Sequence, residues 1–131
     1  MRFLTKNLRM SKFFRTFASQ MQNIGYMSSK AFTYQLSELG KSILSKGAHL
    51  WLYGSRARGD AHNGSDWDLL ILLDKERQEL SDFDNYSYPF IYNGALADQV
   101  VSAHIYTNKE WEGMSFLPFY KNVEQDKIVL V

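Results

Sequence analysis

Hydrophobic residues recur with a helical period over 32–44. Ser28 and Ser29 each suit the N-cap of a helix, and apolar residues follow them at steps of three and four. These positions are Phe32, Leu36, Leu39, Ile43 and Leu44. The spacing predicts a helix that packs on a sheet and has Gly47 as its C-cap.

Three short segments follow that are each predicted to form a strand, and the first two are apolar runs bounded by turn-forming residues. They cover 50–53, 69–73 and 99–106. Between the second and third runs, the charged segment 75–84 reads as a loop or short helix. Residues 85–93, with Pro89, read as irregular structure or the start of a new element.

The end of the chain repeats the alternation of helix and strand. Thr107 or Asn108 is predicted to cap a helix over 107–112, and 127–131 is predicted to be a terminal edge strand or tail. We therefore expect an α/β (α+β) fold, with a small mixed sheet of three to five strands and helices packed on one face.

Two aspartates stand where the second apolar run begins. Side chains alternate along a strand, so Asp66 and Asp68 should point to one face and Trp67 to the other, into the core. Their Cα atoms would lie about 6.6 Å apart. Carboxylates at this spacing suit hard cations such as Mg²⁺, which accept substrate phosphates as further ligands.

A Gly-Ser turn follows the first apolar run, and ten residues separate it from Asp66. Gly54 allows the backbone to turn sharply and approach a ligand closely, because it has no Cβ. Ser55 offers a hydroxyl and an N–H group at the start of a possible short helix, where phosphate is favoured. Arg56 and Arg58 add guanidinium groups suited to phosphate oxygens. Neighbouring strands thus supply a phosphate cradle and a metal-binding pair.

This arrangement of Gly54-Ser55, ten residues and Asp66-x-Asp68 resembles the signature of the DNA polymerase β-like nucleotidyltransferase superfamily. The fuller strings at 54–59 and 65–69 are similar to its minimal nucleotidyltransferase branch, whose members include antitoxins. The resemblance implies the nucleotidyltransferase fold.

The small size of that branch also suggests how the chain divides. A minimal nucleotidyltransferase domain would occupy 28–131, and 1–27 would be a basic N-terminal extension.

The resemblance also implies an activity. It is the transfer of a nucleoside monophosphate, with AMP from ATP preferred, to a hydroxyl acceptor. Asp66 and Asp68 would be the catalytic residues and the ligands of two Mg²⁺ ions shared with the nucleotide. The implied nucleotide-binding residues are Gly54, Ser55, Arg58 and Ser65. In the minimal branch the acceptor is often a tyrosine of a HEPN-domain toxin, so a protein partner or a homodimer is expected.

The third predicted strand departs from the family pattern. The superfamily normally places another carboxylate there, and alignment of the strand puts Ser102 at that position. Three explanations stay open: Asp98 reaches the site; Asp66 and Asp68 suffice for a slow transferase; or the protein is a catalytically weak or inactive module that binds a nucleotide or a partner.

Composition excludes several classes of site. Without cysteine the chain has no disulfide, thiol nucleophile or Cys-based zinc site. Its histidines, His49, His62 and His104, lack metal-ligand spacing, and His62 is expected in a solvated loop. No apolar run approaches the roughly 20 residues that span a bilayer, so we expect a soluble, cytoplasmic protein without a membrane partner.

The charge is distributed unevenly. Residues 1–37 contain six Lys or Arg and no acid, whereas 38–131 contain nine basic and fourteen acidic residues. The basic, apolar segment 1–27 would suit an amphipathic membrane helix, a nucleic-acid arm or an organellar presequence. An upstream extension or a packing helix is preferred, and the acidic remainder argues against nucleic acid as a partner.

Overall fold

A computed structural model describes residues 28–131, so the expected extension at 1–27 lies outside the described residues. The elements follow one another in an order that alternates helices and strands. They are α1 (Ser29–Ile43), β1 (His49–Tyr53), α2 (Ser55–Arg58), β2 (Trp67–Leu73), a π-helical turn (Phe83–Ser87), α3 (Tyr88–Leu96), β3 (Val101–Thr107), α4 (Asn108–Glu112), α5 (Pro118–Asp126) and β4 (Ile128–Val129).

One mixed sheet joins the four strands of 28–131 in the order β3-β2-β1-β4. Strand β2 pairs antiparallel with β1 and parallel with β3, and β4 pairs antiparallel with the outer side of β1. The parallel pair requires a long crossover, which the segment containing α3 supplies. The predicted fold class and the predicted terminal edge strand are both confirmed.

Different helices cover the two faces of the sheet. On one face, side chains of the central strands pack with α1 and α3 in a first core. Its most buried members include Phe32, Leu36, Leu39, Leu50, Leu52, Trp67, Leu69, Ile71 and Phe90. The sequence predicted helices on one face only, and α1 and α3 are the helices that cover this one.

The opposite face carries a second, more aromatic core that the sequence did not predict. There Trp51, Leu70 and Leu72 of the sheet pack with Trp111 of α4 and Val123 of α5.

Within 28–131, no helix is long and apolar enough to cross a membrane.

Helix α1 begins as predicted but ends earlier. The Ser28 hydroxyl accepts a hydrogen bond from the Ala31 N–H at 3.1 Å, which confirms the N-cap. The helix stops at Ile43, because Leu44 is already extended and packs against the first core. The prediction that Gly47 is the C-cap is therefore wrong, and Gly47 lies in the turn that leads to β1.

The segment between β2 and β3 begins a new element, one of the two alternatives that its sequence allowed. Pro89 lies in the first turn of α3, where the helix needs no N–H donor from it. The segment also covers the outer edge of β3. Ser87 Oγ donates to the Ala103 carbonyl at 2.5 Å, and Gln78 Nε2 donates to the Ile105 carbonyl at 3.2 Å. These bonds hold β3 in place beside β2 and occupy acceptors that an open edge would expose.

Candidate active site

Three strands meet at one end of the sheet. Asp68, the second residue of β2, is in register with Tyr53 at the end of β1 and with Ser102 near the start of β3. Because Gly54 and Ser55 directly follow Tyr53, this pairing brings the Gly-Ser turn next to Asp68. The pairing therefore places the Gly-Ser turn, Asp68 and the start of β3 next to one another.

The Gly-Ser turn lies against the Asp68 carboxylate. Gly54 has a φ of +73°, and a Cβ added there would collide with Asp68 Oδ2. Helix α2 starts at the next residue, and the N–H groups of Ala57 and Arg58 both donate to the Gly54 carbonyl at 3.0 Å. Glycine is needed here both for the left-handed backbone and for the close approach to the carboxylate.

The two aspartates sit at the entry to β2. Asp66 is exposed just before the strand, while Asp68 is half-buried. Trp67 between them is buried in the first core, with its ring centroid 4.8 Å from that of Phe32. Trp67 thus takes the predicted core position. Within 28–131, neither aspartate forms an ion pair with a lysine or arginine.

The electrostatics of Asp68 favour a bound cation. Burial raises the pKa of the Asp68 carboxyl, and the neighbouring Asp66 charge raises it further, while His104 and Arg58 lower it. A desolvated carboxylate beside a like charge is stabilised by positive charge. Asp66 and Asp68 therefore fit a divalent cation such as Mg²⁺. No set of three or more His, Asp or Glu side chains within 28–131 is placed to hold a metal.

Arg58 and Arg56 differ in their contacts. Arg58 lies close enough to lower the pKa of Asp68, and its guanidinium pairs with Asp60 at 3.2 Å and Asp126 at 3.4 Å. Both pairs are partly exposed and therefore weak. The Arg56 guanidinium instead lies 4.5 Å above the Trp67 ring, which gives it a role in packing.

Ser65 closes the loop that precedes Asp66. Its hydroxyl accepts a hydrogen bond from the His62 N–H at 2.9 Å, and its carbonyl accepts one from Arg56 Nη2 at 3.0 Å. The His62 imidazole is exposed and accepts a bond from the Gly64 N–H at 3.3 Å, within the same loop. These contacts fix the backbone that carries Asp66 into the site.

Asp98 does not occupy the position of the family's third carboxylate. It lies in the turn after α3, with φ at 56°, three residues before β3 begins. Among the described residues, the charges that shift the pKa of Asp68 come from Asp66, His104 and Arg58, not from Asp98. Ser102 instead lies directly across from Asp68 on the parallel neighbour.

Two further side chains at this site were not assigned to it from the sequence. His104 is exposed, and its Nε2 atom lies 3.3 Å from Ser102 Oγ. Tyr53 is half-buried, and burial, followed by the charges of Asp68 and Tyr106, raises the pKa of its hydroxyl to about 12. The available signal was the period of two in a strand, which sets residues 102 and 104 on one face.

Known proteins match the part of the chain that forms this fold. A model of the nucleotidyltransferase domain family matches residues 35–130. The chain is also 36% identical, over 67 residues, to a protein from Aphanizomenon flos-aquae (strain 2012/KM1/D3) named Protein adenylyltransferase MntA. That alignment covers 49% of this chain and 45% of the relative, so the chain spans less than half of the relative's length. The likeness to this relative supports the resemblance to the minimal nucleotidyltransferase branch, and the chain belongs to the nucleotidyltransferase domain family, of the DNA polymerase β-like type.

Proposed function

We propose that the protein transfers a nucleoside monophosphate, AMP from ATP, to a hydroxyl group and releases pyrophosphate. The observation that carries this proposal is the contact between the Gly54 turn and the Asp68 carboxylate, with Asp66 beside it. In this proposal the turn binds the phosphates, and the two carboxylates beside it bind the cation. Membership of the family supports nucleotidyl transfer, and the name of the relative supports an adenylyl group.

Asp66 and Asp68 are the residues that would hold Mg²⁺ in this scheme. When bound, the metal supplies positive charge to the oxygens of the transferring phosphoryl group. The protein's own contribution is positioning. Gly54 and Ser55 receive the β- and γ-phosphates, Arg58 neutralises part of their charge, and Ser65 fixes the loop that presents Asp66. The acceptor oxygen bonds to the α-phosphorus while the bond to pyrophosphate breaks, with its electron pair on pyrophosphate.

The acceptor in this proposal is a tyrosine hydroxyl of a partner protein. The name of the relative, a protein adenylyltransferase, supports a protein acceptor. The resemblance to antitoxins of the minimal branch makes a HEPN-type toxin the partner of choice, with a homodimer as the alternative. Cytoplasmic action, and a division into an extension at 1–27 and a catalytic domain at 28–131, complete the proposal.

Transfer of label from ATP tests the reaction. With α-labelled ATP, Mg²⁺ and a lysate of the host cell, the wild-type protein should label a protein and release pyrophosphate. Asp66→Asn and Asp68→Asn should each lose most of this transfer, because each removes a carboxylate from the cation. A variant with both substitutions that still transfers labelled AMP would refute the site. A pull-down that recovers no stable partner would count against the toxin version.

A second function is favoured by one specific observation. Ser102, a neutral residue, lies in register with Asp68 where the family carries a carboxylate. The protein would then be a catalytically weak or inactive module that binds Mg²⁺-ATP. Calorimetric binding of ATP with Mg²⁺, without release of pyrophosphate under any acceptor condition, would select this function over transfer.

A further inference from the structure

Ser102 and His104 form a hydrogen-bonded pair beside the two aspartates. Ser102 Oγ and His104 Nε2 lie 3.3 Å apart, two residues from each other on the same face of β3. The parallel register sets Ser102 across from Asp68 and His104 across from Leu70. The serine therefore lies nearer to the carboxylates, and the histidine lies one step behind it along the strand.

The pair is not placed as part of the metal site. His104 is near enough to lower the pKa of Asp68. Within 28–131, however, no three His, Asp or Glu side chains are grouped to hold a metal. The imidazole is also exposed, so its packing contributes little to the core. An exposed imidazole that is hydrogen-bonded to Ser102, in register with Asp68, is available to a second substrate.

We propose that Ser102 and His104 receive the acceptor hydroxyl, in the position that the family gives to a third carboxylate. This inference rests on the proposed function. Ser102 Oγ would bind the acceptor hydroxyl directly and is therefore assigned as a catalytic residue. His104 acts through Ser102, as a positioning residue that holds the serine hydroxyl and takes its proton.

The transfer step balances with these two groups. The acceptor oxygen forms its bond to the α-phosphorus of ATP while the bond between that phosphorus and the pyrophosphate oxygen breaks. The electron pair of the broken bond leaves on pyrophosphate. The acceptor proton passes to Ser102 Oγ as the serine proton passes to His104 Nε2, and the exposed imidazole then releases a proton to water. The products are the adenylylated acceptor and pyrophosphate.

Chemical rescue tests the role of His104. The assay uses α-labelled ATP, Mg²⁺ and N-acetyl-tyrosinamide as a tyrosine acceptor. His104→Ala should lower kcat about 10²-fold, which is typical of a lost proton acceptor, while the affinity for a non-hydrolysable ATP analogue stays unchanged. Added imidazole should restore much of the rate, because the exposed position leaves room for it. Ser102→Ala should lose activity without such rescue.

A second test restores the carboxylate that the family carries at the position of Ser102. Ser102→Asp restores a carboxylate opposite Asp68, so adding His104→Ala to that background should cost little. His49→Ala is the matched control, since His49 is also an exposed strand histidine but pairs with Leu72, at the opposite end of β2. It should leave the rate unchanged.

The possible failures are distinguishable. Wild-type rates in His104→Ala, or a loss that imidazole does not restore, would overturn the role of the pair and leave the transferase intact. Absence of pyrophosphate release from the wild-type protein would reject the transferase and the pair together.

Discussion

At the scale of single residues, the site depends on how closely Gly54 approaches Asp68. Two glycines flank helix α2, and both have a positive φ, +73° for Gly54 and +85° for Gly59. A Cβ on Gly54 would collide with the carboxylate, whereas a Cβ on Gly59 would meet nothing within 4 Å. The pair therefore separates the general cost of a strained backbone from the specific cost of crowding the site.

Gly54→Ala should lose nearly all AMP transfer, because the new methyl group displaces the Asp68 carboxylate. Gly59→Ala should keep most of it and lose about 1 kcal/mol of unfolding free energy from its left-handed backbone. Gly54→Ala should lose more unfolding free energy than that, because its φ of +73° and ψ of −158° suit glycine alone and its Cβ would collide with Asp68. Labelled-ATP assays and urea denaturation measure the two effects. Equal activity in the two variants would show that the close approach has no part in the reaction.

The residue scale also limits what the sequence could reveal. The turn and the aspartates could be predicted to lie together because one loop joins their strands. His104 was missed, because its proximity to Asp68 arises from the parallel pairing of β2 with β3, whose residues are distant in the chain. Gly40, which interrupts the helical pattern, likewise has a long-range reason. A Cβ there would come within 2.8 Å of Val131 and 2.9 Å of Leu50.

At the scale of elements, local sequence signals predicted where the helices begin better than where they end. Ser28 and Thr107 both cap helices as predicted, since a cap depends on residues three positions away. The end of α1 was placed too late, because Leu44 leaves the helix to pack in the core rather than to follow a nearby glycine. The helical cover of the second face also depends on contacts between distant segments, such as Trp51 with Trp111.

The cap of α4 gives a prediction that depends on pH. The Glu110 carboxylate accepts bonds from the Thr107 N–H at 2.8 Å and from Gln78 at 3.0 Å, and these bonds lower the pKa of Glu110. Glu110→Gln should therefore cost about 1 kcal/mol of unfolding free energy at pH 7.

Because the pKa of Glu110 is lowered in the folded state, this contribution is full above the pKa of the unfolded chain and is lost as pH falls through the folded pKa. Urea denaturation at several pH values measures it, with Glu112→Gln, an exposed residue of the same helix, as the control. A cost that stays constant down to pH 3 would contradict this account of the cap.

At the scale of the whole molecule, the two cores leave one end of the sheet for the site. The first core fixes β1 and β2 against α1, and the second holds α4 and α5 against the opposite face. Helix α5 also brings Asp126 to Arg58, so the C-terminal helix contacts a residue of the candidate site. Binding of a nucleotide at the site should therefore raise the stability of the whole domain.

Mg²⁺ and a non-hydrolysable ATP analogue should together raise the melting temperature of the protein. A ligand that binds only the folded state at 100 times its Kd adds about 2.7 kcal/mol. Either component alone should have a smaller effect, because the metal neutralises the charges of the aspartates and the phosphates supply further ligands to the metal. Addition of EDTA should reverse the gain.

Asp68→Asn is the matched variant for this measurement. The substitution removes one proposed ligand of the metal. It also removes a charged carboxylate that is unfavourable in its half-buried position, as the raised pKa of Asp68 in the folded state indicates. The unliganded variant should therefore be at least as stable as the wild-type protein at pH 7, yet gain little from Mg²⁺ and the analogue. An equal gain in both proteins would place the nucleotide away from Asp68, whereas a gain confined to the wild-type would tie binding to that carboxylate.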